Sequence, residues 1–389
     1  MSWANRISPT VNAIPPSGIR RFFDIAAEMK GVISLGVGEP DFITPWHIRE
    51  SCIYGLQRGY TSYTSNYGLL ELREEISRKI AADYEVHYDP RSEVLITVGV
   101  SEAVDLAMRA LLSPGDEVLI PEPSYVSYKA CVSLAGGVPV PVPTFMEHEF
   151  RVTVDQLEQA ITDRTRLLLI GYPNNPTGAI MTREDLSAIA AFALKHDLIV
   201  ISDEIYADLT YEGSHTCFSS LPGMRDRTIV LNGFSKAYAM TGWRIGYALS
   251  NSDFIGAMMK IHQYTMLCAP ITAQVAAIEA LKRGKTNMNK MVAEYNHRRR
   301  LMLDGFQRIG LSCFEPKGAF YIFPSIKDTG LSSMQFAEEL LKAEKVALVP
   351  GDAFGASGEG FVRCSYAASV ENLSEALLRI ERFVKSLNK

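Results

Sequence analysis

Lys236 and Arg244 stand eight residues apart in NGFSKAYAMTGWRIGYA, residues 232–248, a stretch otherwise mostly small or apolar and preceded by the run TIVL. Burying a charge costs free energy unless something pairs with it or uses it. The two cations therefore belong at a surface or around an anion. Other polar residues occupy equivalent places, just after short β-branched runs. Gly99 and Ser101 follow VLIT, Asn174 and Asn175 follow LLLIGYP, Asp203 and Tyr206 follow LIVIS, and Lys236 follows TIVLNGFS. In open parallel sheets ligands bind beyond the carboxyl ends of the strands, so an amide, a carboxylate, a phenol and a lysine are expected to converge there. Singly, each has a plainer reading: Asp203 as a helix cap, Asn175 as a shaper of the NNPTG turn, Tyr206 as a core aromatic. Caps alone would not call for a lysine and a carboxylate on neighbouring strands.

A deprotonated lysine in a cleft forms a Schiff base with a carbonyl, and burial or a nearby cation lowers its pKa enough to permit this. Arg244 is such a cation. A cofactor with an aldehyde, a phosphate and a pyridine nitrogen would use the whole set, and pyridoxal phosphate (PLP) has all three. The aldehyde would take Lys236, the phosphate Arg244 and a helix N-terminus, and the ring nitrogen Asp203. TVGVSEAVDLA, residues 97–107, puts Gly99 and Ser101 where a strand passes into a helix, so that free backbone amides would face an anion. GASGEG, 355–360, lacks the Lys-Ser/Thr ending of a nucleotide-binding loop and reads as a plain loop.

From about residue 94, apolar runs alternate with amphipathic ones: VLITVG, EVLIPEP, RLLLIGYP, LIVISDE and TIVLNGF, separated by stretches such as SEAVDLAMRALL and TREDLSAIAAFALKHD. This is the pattern of an α/β domain whose parallel sheet is covered on both faces. Thr182 and Asp185 form a capping-box start, and SPGD at 113–116 a turn. After about residue 283 a long charged helix, stopped by Gly310, leads to GAFYIFPSI, a helix, ALVPG, FVRCSYAAS and a final helix. The expected division is a large domain over 46–283 and a small α+β domain from 1–45 with 284–389.

The chain has 389 residues, 47% hydrophobic and 21% charged, with a net charge of -5, which describes a globular protein and argues against nucleic acid as a partner. Arg298, Arg299 and Arg300 read as a solvated helix face. No apolar run reaches the roughly 18 residues of a membrane span, and MSWANRISPT lacks the apolar core of a signal peptide, so the expected location is the cytoplasm. Six cysteines stand singly and seven histidines stand apart, which predicts buried thiols and no metal site.

GFSKAYAMTGWRIG, 233–246, resembles the lysine signature of class I PLP-dependent aminotransferases, and GEPDF, YPNNPTG, SDEIY and FVRCSY occur in the order that family has. The likeness runs from about residue 20 to the end. It implies fold type I: an α/β architecture with a large PLP domain on a mainly parallel mixed sheet, a small domain from both chain ends, and a homodimer with sites at the subunit interface. It implies that Lys236 binds the cofactor and then moves the substrate proton. Asp203 would hold the ring nitrogen, Tyr206 and Asn175 the phenolic oxygen, and Tyr125 would stack on the ring. Ser101 with the amides of Gly99 and Val100, Ser235 and Arg244 would hold the phosphate, reached also by Tyr63 of the partner subunit. Arg363 would grip the substrate α-carboxylate as a bidentate fork, a geometry lysine cannot offer, beside Gly38 and Asn175.

Two departures stand out. Gly233 occupies a position where some relatives have a phosphate-binding serine, and Ser101 one where some aspartate-using members have a lysine. The second weakens a strictly acidic side-chain preference, and the tyrosines suit an aromatic or broad one. The expected activity is transfer of an amino group from an L-amino acid, aspartate, aromatic or related, to a 2-oxo acid, in a ping-pong cycle between PLP and pyridoxamine phosphate. The rival on the same scaffold is a PLP-dependent β-elimination lyase of the cystathionine type. A non-catalytic effector-binding module of a transcription regulator would need a basic DNA-binding domain, for which the chain has no spare length.

Overall fold

The structure is a computed structural model that describes residues 3, 6–15 and 29–387. Residues 16–28, where the family likeness starts and part of the expected small domain falls, lie outside the described residues. After β1 (Ile33–Ser34) come the strands of the main sheet: β2 (Val94–Thr97), β3 (Glu117–Glu122), β4 (Val138–Pro143), β5 (Thr165–Gly171), β6 (Ile199–Asp203), β7 (Thr228–Gly233) and β8 (Gly246–Leu249). Their order is β2-β8-β7-β6-β5-β3-β4. β3 to β7 run parallel to one another, while β8 is antiparallel to both β2 and β7.

The apolar runs become strands because both faces are covered. Leu167 and Leu169 pack with Val118, Ile120 and Ile201 on one side, whereas Leu168 and Ile170 pack with Leu119 and Val200 on the other, as the two-residue period of a strand requires. Two strands did not stand out in the sequence. β4 is VPVPVP, three prolines that cannot donate to a ladder, and it lies at the sheet edge, paired among the described residues to β3 alone. β8 is GYAL, the tail of the lysine-bearing stretch.

Local signals are met. Thr182 caps the helix Arg183–Lys195 in a reciprocal box with Asp185. Asp116 N–H closes the SPGD turn on Ser113 O at 3.0 Å. The helix Lys285–Ile309 ends at Gly310, φ 88, in the left-handed conformation favoured by glycine. Beyond it, β9 (Tyr321–Ile322), β11 (Val349–Pro350) and β12 (Val362–Ser365) form an antiparallel sheet, and β10 (Val346–Ala347) pairs in parallel with β1. The GASGEG segment runs through short turns, as a loop.

Two readings are corrected. Arg298 and Arg299 are buried, and only Arg300 of the three is exposed. Arg298 Nη1 donates to both oxygens of Asp41 at 2.8 Å, and Arg299 donates to Glu315 Oε1 (3.0 Å), Pro316 O (2.8 Å) and Glu212 Oε1 (2.8 Å). These partners lie 16 to 257 residues away, outside the helix that carries the run, so nothing within the run marks it as buried. Of the cysteines only Cys217 and Cys364 are buried; Cys52, Cys131, Cys268 and Cys313 are partly exposed, and all six are free.

Arg299→Ala should therefore lower stability by about 2 kcal/mol, since it strips a buried carbonyl of its donor and leaves a void. Arg300→Ala should change it by less than about 0.5 kcal/mol. Urea unfolding midpoints compare them, and equal midpoints would contradict the burial of Arg299.

Candidate active site

A cavity of about 560 Å³ opens where β5, β6 and β7 end, lined by Gly171, Asp203, Ser235 and Lys236 from those ends and by Val100 and Ser101 after β2. Tyr125, Asn175, Tyr206, Arg244, Gly38 and Arg363 line it as well. Two candidates stand apart. Gly99 lies behind Arg244, with φ +78 and so little room that a Cβ would sit 2.9 Å from Arg244 Nη2. Tyr63 is 82% exposed and outside this cavity.

Lys236 reaches into the cavity and its Nζ donates to Gly38 O at 2.6 Å. Loss of surrounding water, with the Arg363 and Arg244 charges nearby, pulls its pKa down to about 8, against the opposing pull of Glu39 and Asp203. Its neutral form is thus accessible near physiological pH. Asp203 is buried at the end of β6, where burial pushes its pKa up to about 6. The Tyr128 hydroxyl donates to its Oδ2 at 2.7 Å and the Ile205 N–H to its Oδ1 at 3.2 Å, and both resist that rise.

Arg363, on β12, is buried beneath two aromatic faces, with its Cζ 4.5 Å from the Tyr321 ring centroid and 4.8 Å from that of Phe354. Nη1 donates to Asn175 Oδ1 at 2.9 Å and Nη2 to Gly36 O at 2.5 Å, while Nε is buried with no partner among the described residues. A guanidinium with an unused buried donor suits a carboxylate. Asn174 turns the other way from Asn175: its Oδ1 accepts from the Thr177 N–H and hydroxyl and shapes the NNPTG turn. Arg244 is exposed, in the left-handed conformation at φ 52, with Nη1 donating to Thr241 O at 3.0 Å.

Sequence reasoning missed Tyr128, Tyr321, Glu39 and Thr241, which also line the cavity. Tyr128 follows Tyr125 by three residues, one before and one inside the helix Ser127–Leu134, and their rings meet edge-on at 5.5 Å; a second tyrosine so close to a candidate could have found it. Tyr321 gave none, because GAFYIFPSI is apolar or aromatic nearly throughout. Together the residues fit PLP: an amine that loses its proton easily, a buried carboxylate, and an arginine beside the amides that start the helix Val100–Leu111.

The profile of the family described as "Aminotransferase class I and II" matches residues 30–380. The chain belongs to that family. It is a PLP-dependent transaminase with fold type I architecture. YugH of Bacillus subtilis is 56% identical to it over 97% of this chain and 98% of its own. An aspartate aminotransferase of Pyrococcus abyssi is 48% identical over 97% and 98%. The crystal structure of an aromatic aminotransferase from Pyrococcus horikoshii superposes with a TM-score of 0.91 at 47% identity, covering 95% of this chain and 99% of that one. These relatives support amino transfer and lend none to the elimination rival.

Only neutral Lys236 can attack an aldehyde. The rate at which cofactor-free aminotransferase takes up PLP, followed by visible absorption, should therefore rise with pH to a plateau with a midpoint near the about 8 set by the cavity. A midpoint near that of an ordinary lysine, about 10.4, would contradict the environment described.

Proposed function

We propose that this aminotransferase moves amino groups between L-amino acids of the aspartate or aromatic class and 2-oxo acids, with Lys236, Asp203 and Tyr206 as its catalytic residues. What carries the reading is Lys236 set in one cavity between a buried carboxylate and a buried arginine with a free donor. The substrate class follows the names of the relatives, and the tyrosines of the wall favour its aromatic members. When bound, PLP supplies an aldehyde for amines and a ring that accepts the electron pair left by the Cα proton. Lys236 Nζ takes that proton and returns it at the cofactor carbon. Asp203 keeps the ring nitrogen protonated. Tyr206 and Asn175 bind the phenolic oxygen, Tyr125 stacks on the ring, and Gly99, Val100, Ser101, Ser235 and Arg244 surround the phosphate. Arg363, with Asn175 and the backbone of Gly38, orients the α-carboxylate.

The same proposal divides the chain into a large domain, 46–283, and a small one, 1–45 with 284–389. It makes the protein a cytoplasmic homodimer in which Tyr63 serves the partner's phosphate. Tyr63 and Tyr264 are 82% and 87% exposed, and Asn66 Nδ2 donates to Leu267 O at 2.6 Å, which ties their two segments together; exposed aromatics of this kind suit a protein interface. Among the described residues no helix is long and apolar enough to cross a membrane.

Mixed with phenylalanine or aspartate alone, the holoenzyme should convert one equivalent of bound cofactor to its aminated form and stop; catalytic release of ammonia and pyruvate from a β-substituted amino acid would instead support elimination. Lys236→Ala should lose this conversion together with the visible band of the lysine-bound cofactor, and a variant that keeps both would sink the assignment. Arg363→Lys should raise KM for amino acid and oxo acid alike by roughly 10-fold or more, for loss of one charged hydrogen bond of the bidentate fork, with PLP retention unchanged. Unaltered KM would refute its role.

A further inference from the structure

One aromatic side chain of the cavity wall has no part in the roles above. Tyr321, on β9, is 1% exposed and lines the cavity. Its hydroxyl lies 2.7 Å from the hydroxyl of Tyr206, and its ring carries the Arg363 guanidinium at 4.5 Å. It also comes so near Gly38 that a Cβ there would meet the Tyr321 oxygen at 2.7 Å. Packing alone does not account for the hydroxyl. The ring contacts to Phe320, at 4.9 Å, and Tyr206, at 5.8 Å, would serve a phenylalanine equally well.

A phenol has one proton to give and lone pairs with which to accept. Between Tyr206 and Tyr321 either oxygen can be the donor. Once Tyr206 commits its proton to an acceptor in the cavity, the contact survives only with Tyr321 donating. A hydroxyl that accepts a hydrogen bond becomes a better donor itself. Arg363 strengthens the effect, because a cation over the Tyr321 ring makes its O–H more acidic; burial raises the Tyr321 phenol, and Arg363 and Tyr206 both work against that rise.

We propose that Tyr321 is a positioning residue that donates to Tyr206 and thereby strengthens the bond from Tyr206 to the phenolic oxygen of PLP. The inference rests on the role proposed for Tyr206. That bond stabilises the phenolate beside the lysine–cofactor linkage and so favours the linkage in its unprotonated form, which sets the pH at which the visible band changes.

The test is a pH titration of the visible band of the holoenzyme in wild type, Tyr206→Phe, Tyr321→Phe and the double variant. Tyr321→Phe should move the midpoint up by roughly 0.5 in pH, part of the worth of one hydrogen bond. Tyr206→Phe should move it further, and the double variant should match Tyr206→Phe alone. A Tyr321→Phe midpoint equal to that of wild type, beside a raised one for Tyr206→Phe, overturns the inference and leaves the proposed function standing. An unmoved Tyr206→Phe midpoint overturns both the Tyr206 role and this inference. Should Tyr321→Phe fail to hold cofactor, fluorotyrosine at position 321 asks the same question with the opposite sign: a more acidic donor should lower the midpoint, and an unmoved or raised one overturns the inference.

Discussion

Three cations share one cavity. Lys236, Arg244 and Arg363 line it together with a single buried carboxylate, Asp203, and Glu39 adds another at the exposed edge. Such a surplus of positive charge is costly where it is withdrawn from water, and each cation meets the cost differently. Lys236 can shed its proton near pH 8. An arginine cannot. Arg363 instead donates to neutral acceptors, Asn175 Oδ1 and Gly36 O, and lies against two aromatic faces. Arg244 stays in contact with solvent. What remains is a positive field in a concave site, with a spare donor on Arg363, into which a phosphate and a carboxylate fit as counter-charges.

The fold holds these groups by joining distant segments. Parallel strands deliver Asp203 and Lys236 on neighbouring ends, and antiparallel β8 returns the chain after Arg244 so that its guanidinium reaches Gly99. The loop between them is tied down from outside: Thr44 Oγ1 donates to Ala239 O at 2.5 Å and accepts from Trp243 Nε1 at 3.0 Å. The segment that carries Gly38 is fixed at both ends, by the pairing of β1 with β10 and by the grip of Arg298 on Asp41. The buried Arg298, paired with Asp41, thus helps to set where the Lys236 ammonium finds its carbonyl.

This also explains what was legible in the sequence. Strands buried on both faces write themselves as apolar runs, and a parallel sheet places function just after them, so Asn175, Asp203 and Lys236 could be located by counting. Arg363 and Gly38 needed the family likeness, because nothing local distinguishes them. The cavity wall was legible only where its signals were local. β4 hides because proline is read as a breaker, although at an edge it costs no inner ladder bond. Arg298 and Arg299 hide because their partners, Asp41, Glu212 and Glu315, come from three other parts of the chain. A charged run has no local mark that tells a solvated face from a buried one.

The two tyrosines missed in the wall share one device. Tyr128 donates to Asp203, and Tyr321 touches Tyr206; in each case the phenol fits because a glycine faces it. A Cβ on Gly171 would lie 2.6 Å from the Tyr128 oxygen, and one on Gly38 2.7 Å from the Tyr321 oxygen. Close backbone approach lets a rigid ring present a hydroxyl with little conformational freedom left to lose. The choice of a phenol over a charged donor follows from the surplus of positive charge. A lysine or arginine at either place would add a fourth cation to a cavity that already resolves three, and would compete with Lys236 and Arg363 for the incoming anions. A neutral donor orients Asp203 and contacts Tyr206 without altering the net field. The acidity of the site is thus adjusted by hydrogen bonds, while its charge is reserved for the ligands.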